Sequence, residues 1–135
     1  MERFSRVAPW RAVCSARGMP YATSLRDRVF ALVQEVLRLQ TDICRQGRPF
    51  EHMANQLFRA ASSIGAMLEE GDVSNSRRDM GAKHAIALRE AKEARYRLRL
   101  LIGANVQRER LEPIDREVNE FVAMLTTSVR KLRAK

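Results

Sequence analysis

The chain has 135 residues, 45% apolar and 6% aromatic, with 25 Lys and Arg against 16 Asp and Glu for a net charge of +9. That length carries one domain with a sizeable core; two cysteines, Cys14 and Cys44, exclude a disulfide framework, and no apolar run approaches the roughly 18 residues of a membrane span. The basic balance points to polyanionic partners, nucleic acid foremost, and two scattered thiols read as reduced cysteines in a cytoplasm.

Residues 1–22 differ from the rest of the chain. Arg3, Arg6, Arg11 and Arg17 stand against one acid, Glu2, among Pro9, Gly18 and Pro20. Three readings stay open there: a basic flexible tail, or a true start at Met19; an acid-poor transit-like leader; and a basic arm for nucleic acid. Residues 23–135 have the pattern of a single all-α domain. A first helix is expected at about 24–45. Ser24 and Asp27 form a capping box, and Leu25, Val29, Leu32, Val33, Val36, Leu39 and Ile43 recur at three- and four-residue steps. Gln46-Gly47-Arg48 ends it.

A second helix is expected at about 49–70, with Pro49 in the first turn, where its missing N–H is harmless. Phe50, Met53, Leu57, Ile64 and Leu68 form its seam. Gln56, Arg59, Ser63 and Glu70 make a narrow polar stripe beside that seam. Arg59 and Glu70 are about three turns apart and share a side, so these four residues are read as a structural network that fixes helix register. Ala60, Ala61, Ser62, Ser63, Gly65 and Ala66 let a neighbouring helix come close. Gly71 is read as the stop.

A third helix is expected at about 77–104, opened by a Ser76–Asp79 capping box; at ~42 Å it is the longest element. Met80, Ala87, Ala91, Ala94, Leu98 and Leu101 form a small-residue apolar face. Arg77, Arg78, Arg89, Lys92, Arg95 and Arg99 form a basic sector. Residues 76–105 hold eight Lys and Arg against three acids, whereas residues 48–75 hold two against four, so the positive charge is localised. A localised cation face is the footprint of a phosphate-backbone interface; a solvated face paired with Glu90 and Glu93 is the plainer reading. Ile86, Tyr96 and Leu100 fall outside the buried stripe. They are read as an oligomer interface, with a base-stacking role for Tyr96 as the alternative.

A fourth helix is expected at about 113–133, opened by Pro113, with acids in the first turn and Arg130, Lys131 and Arg133 in the last. Leu111, Ile114, Val118, Phe121, Leu125, Val129 and Leu132 form its seam. Four helices with short connections give an antiparallel up-down-up-down four-helix bundle. No catalytic constellation is visible. His52 and His84 read as solvated or packed side chains, no Glu-x-x-His pair supports a di-metal site, and no glycine-rich phosphate loop follows a strand. No cofactor or metal is expected, and the chain reads as a non-enzyme.

The run Gln56-Leu57-Phe58-Arg59-Ala60-Ala61-Ser62-Ser63-Ile64, followed by Glu70-Gly71, resembles the QL-x-RAA-x-SI-x-x-NIAEG signature of bacterial four-helix-bundle proteins first noticed as products of intervening sequences in 23S ribosomal RNA genes. Residues 87–101, Ala87-Leu88-Arg89-Glu90-Ala91-Lys92-Glu93-Ala94-Arg95-Tyr96-Arg97-Leu98-Arg99-Leu100-Leu101, are similar to that family's second block, AL-x-EA-x-E-x-x-Y-x-L-x-LL. The resemblance covers about residues 24–133. It implies a homopentamer with a role in RNA binding. A looser likeness to the accessory variability determinant of diversity-generating retroelements implies a reverse transcriptase as a further partner. A pure protein-interaction scaffold is the remaining alternative. Met67 stands where the signature has Asn, and Glu69 where it has Ala, which trims the polar network the signature would build around Arg59 and Glu70.

Overall fold

Ser24 and Ser76 each accept a hydrogen bond from the backbone N–H three residues on, at 3.1 and 3.0 Å. Each bond satisfies one of the donors that a helix start leaves orphaned. The computed structural model describes residues 24–134, so the basic segment 1–22 lies outside the described residues. Four helices follow in order: α1 (Leu25–Cys44), α2 (Arg48–Asp72), α3 (Arg77–Gly103) and α4 (Arg108–Arg133). Connections of three or four residues force each helix to run antiparallel to the one before it. The chain is an all-α, up-down-up-down four-helix bundle, as its periodicity implies.

The core is a single cluster along the bundle axis. Leu32, Leu39 and Ile43 of α1, Leu57 and Ile64 of α2, and Leu111, Ile114, Phe121 and Leu125 of α4 are essentially sealed from solvent. Each such side chain contributes about 1.5–3 kcal/mol by leaving water. α3 contributes chiefly small residues: Ala87, Ala91 and Ala94 are fully buried. They let α3 lie close against α2 and α4. Consecutive helices pack closely, and α1 and α4 are joined by the Arg28–Glu117 and Asp42–Arg110 ion pairs.

Two helix boundaries differ from expectation. α2 does not stop at Gly71; it continues through Asp72. Gly71 is helical, and its missing side chain makes room for His84, since a Cβ there would lie 3.2 Å from the imidazole Cδ2. The glycine that does need positive φ is Gly47, at +132°, just before α2. α4 starts at Arg108 and not at Pro113, which sits inside the helix. Its N-cap, Gln107, has left-handed backbone at φ 49° and makes no side-chain cap bond, so no capping residue marks this start. Leu111, fully buried, and Val106, tucked in from the loop, hold the first turn down despite the backbone bond Pro113 cannot donate.

Candidate nucleic-acid interface

The outer face of α3 is where the cations gather. Arg78, Arg89, Lys92 and Arg99 are exposed and make no hydrogen bond or ion pair among the described residues. The other two members of the expected sector are engaged. Arg95 Nε donates to Asp115 Oδ1 of α4 at 3.3 Å, and Arg77 donates to the Lys131 carbonyl at the end of α4. That bond satisfies one of the orphan carbonyls of the last turn, and it joins Arg77 and Arg78 to the basic end of α4. Arg130, Lys131 and Arg133 all lie in that final turn. A groove of about 510 Å³ there is lined by Arg77, Arg78, Gly81, Ala82, Leu132 and Arg133. The positive surface therefore runs along α3 and ends on α4, which a reading of one helix at a time does not reveal.

Ile86, Tyr96 and Leu100 differ in exposure. Tyr96 and Leu100 are 58% and 41% exposed, whereas Ile86 is half-buried and lies ~15 Å further down the axis. Tyr96 and Leu100 are interleaved with the cations. Lys92, Arg95, Tyr96, Arg99 and Val122 line one groove of about 230 Å³ between α3 and α4.

The polar stripe of α2 is arranged differently from the expected network. Arg59 Nε bonds Gln56 Oε1 at 3.4 Å, but its guanidinium does not reach Glu70. It crosses to α3, 2.7 Å from Glu93 and 3.9 Å from Glu90. Glu70 is 4.0 Å from Lys83 instead, and Ser63 joins neither pair. A neighbouring helix offers carboxylates within one side-chain length, while Glu70 is three turns away on the same helix. Burial, reinforced by the Glu93 charge, raises the Glu90 pKa above the ordinary carboxylate value. The clasp thus links α2 to α3 through Arg59.

A second charged cluster escapes detection from the sequence. Arg28 of α1 donates to Glu117 and, at 2.6 Å, to Glu120 of α4, and its guanidinium lies 5.5 Å from the Phe121 ring centre. Glu117 is only 5% exposed. Burial pulls the Arg28 pKa down, but the two carboxylates outweigh it and the net shift is upward. The available signal is spacing: Glu117 lies three residues after Ile114 and four before Phe121, which puts it on the seam itself.

His84 is packed, not solvated. It is 9% exposed, and its Nδ1 lies 2.6 Å from Ser128 Oγ. Burial lowers its pKa below the ordinary 6.5. A hydroxyl beside an imidazole is half of a nucleophilic pair, but Nε2 faces Gly71, and among the described residues no carboxylate bonds it to orient the ring. Among the described residues no group of three His, Cys, Asp or Glu side chains is placed to hold a metal. No helix among them is long and apolar enough to cross a membrane.

Residues 24–127 match the family model for the 23S rRNA-intervening sequence proteins. The chain belongs to that family. The match takes in α1, α2, α3 and most of α4, including both carboxylate–arginine clusters and the unpaired cations of α3. A solved structure shares the fold. It is the crystal structure of a protein of unknown function from the S23 ribosomal protein family of Bacteroides thetaiotaomicron. The two are 28% identical with a TM-score of 0.71, over 79% of this chain and 99% of the other. Comparison with curated proteins gave no match. For an intervening-sequence protein, the outward cation face of α3 is the feature that calls for a functional account.

Proposed function

We propose that this intervening-sequence protein is a non-enzymatic, oligomeric bundle that binds nucleic acid, RNA in the first place, through the outer face of α3 and the basic end of α4. The observation that carries the reading is the set of four exposed cations without hydrogen-bond or ion-pair partners among the described residues, Arg78, Arg89, Lys92 and Arg99. Cations that served only to brace the bundle would be paired, as Arg28 and Arg59 are. An unpaired row along a helix matches repeating phosphates, and its binding strength comes from released counterions. It recognises backbone and not base identity.

The oligomeric part, a homopentamer by resemblance, is supported by α1. Phe30 and Leu37 are 63% and 54% exposed, one heptad apart on its outer side. α1 holds Arg26, Arg28 and Arg38 against Asp27, Glu35 and Asp42, so its charge sums to zero. In a chain of net +9 this neutral, apolar side is where copies approach with least repulsion. That favours α1 over the cation-studded Tyr96 and Leu100 as the contact between copies.

Titrating structured RNA at rising salt tests the reading. Affinity falls steeply with salt, and changing Arg78, Arg89, Lys92 and Arg99 to Ala flattens the log–log slope by about 1 for each phosphate no longer neutralised. Affinity that ignores both salt and these changes removes the nucleic-acid reading and leaves a scaffold. Binding that requires a reverse transcriptase would place the chain as that enzyme's accessory subunit.

A further inference from the structure

We infer that Tyr96 is a base-stacking platform, so that the nucleic acid held on α3 is single-stranded. This rests on the cation-face reading above and narrows it. Tyr96 is the exposed aromatic ring of α3, at 58%. A ring that faces water in a bundle with a well-filled core is not needed for packing. Its setting is chemically specific. Lys92 lies one turn before it and Arg99 one turn after, both without partners among the described residues, and Val122 of α4 supplies an apolar floor to the groove they share. The Arg97 guanidinium lies over one face of the ring, 5.8 Å from its centre, so a base would stack on the opposite face. Phosphate-binding cations on either side of an aromatic face are what a single strand requires: its backbone tracks the charges while an unstacked base lies on the ring.

A duplex fits this surface less well. Its bases are stacked on one another, and the A-form major groove is too narrow for a side chain to reach them. A duplex would use the cations and leave Tyr96 idle. The same exposed ring on an interface between copies would have to bring Lys92 and Arg99 of each copy into the contact, against mutual repulsion.

The test uses the full chain and two labelled probes: a short oligouridylate, and a blunt RNA duplex of the same length, at low salt. The unaltered protein binds the single strand more tightly. Tyr96→Ala weakens the single strand about tenfold and leaves duplex affinity and native mass unchanged, whereas Tyr96→Phe retains binding because the ring remains. Equal losses on both probes, no loss on either, or a duplex held as tightly as the single strand overturns the inference. A fall in native mass on Tyr96→Ala also overturns it, because the ring then belongs to a contact between copies. Should both probes still respond to salt and to alanine at Arg89, Lys92 and Arg99 while Tyr96→Ala is silent, stacking fails and the cation face stands. Should neither probe bind at low salt, the cation face fails with it.

Discussion

Arg28 and Arg59 each hold two carboxylates of another helix, yet they differ in what their loss leaves behind. Arg59 is half exposed at 51%, and Glu93 beside it is 29% exposed. Water screens that pair, but Glu90, 14% exposed and 3.9 Å from Arg59, loses its nearby cation, so Arg59→Met is expected to cost about 1–2 kcal/mol. Arg28 is 16% exposed and Glu117 5%. Removing that guanidinium strands a carboxylate in the seam, with one oxygen already lacking a partner. Arg28→Met is therefore expected to destabilise by about 3–5 kcal/mol, and Arg28→Met with Glu117→Leu to recover most of it, because an apolar pair removes the unpaired charge. Urea unfolding of the two single variants and the double variant checks this. A double variant as unstable as Arg28→Met shows that packing around the aliphatic stem of Arg28, and not its charge, holds α1 to α4. The sequence singles out Arg59 for the structural network because it lies within a motif. Arg28 lies within none, and only the approach of α4 shows what it does.

At the level of elements, His84 ties three helices at one end of the bundle. It belongs to α3, bonds Ser128 of α4 at 2.6 Å, and lies against Gly71 of α2. Burial holds its pKa below 6.5 in the folded chain, so the unfolded chain binds the proton more readily. Its contribution is complete above the unfolded pKa of about 6.5, shrinks as pH falls from there to the folded pKa, and changes no further below that. Thermal unfolding midpoints should drop between neutral and mildly acidic pH, and His84→Gln, which keeps a partner for Ser128 without titrating, should flatten that drop. An equal slope in both proteins assigns the pH dependence elsewhere. Gly71→Ala should press on the same ring, with a Cβ 3.2 Å from it, so the roughly 1 kcal/mol that alanine ordinarily gains over glycine in a helix should be lost to crowding. The helices themselves are legible in the sequence because Ser24 and Ser76 are strong caps and the seams repeat cleanly. The start of α4 is not, because Gln107 caps through its backbone alone, and Gly71 looks like a stop because a glycine beside a turn fits a C-cap as well as it fits a neighbouring ring. The cations of α3 are legible as residues. Which of them are free is not, since the partners of Arg77 and Arg95 come from α4.

Across the whole molecule, charge is sorted by helix. Residues 77–103 hold eight cations and three acids, a net +5, whereas α1 sums to zero. The two proposed surfaces therefore sit on different elements and can be disabled separately. Assembly through α1 would turn several α3 faces outward on one particle. A long RNA engaging two or more of them gains from raised effective concentration, by a factor on the order of 10²–10⁴ where the geometry allows. A short oligonucleotide that spans one face gains nothing. Phe30→Glu with Leu37→Glu places two acids on the neutral side of α1, where both side chains are already largely in water, so the fold should be kept. Light scattering should then show a monomer in place of an oligomer. Affinity for a long single strand should fall by about ten-fold or more, while affinity for a short one is unchanged. If the two probes lose affinity equally, α1 shapes the RNA face itself. If the unaltered protein is already a monomer, copies do not meet through Phe30 and Leu37, and the proposed nucleic-acid contact rests on the single row of cations of one α3.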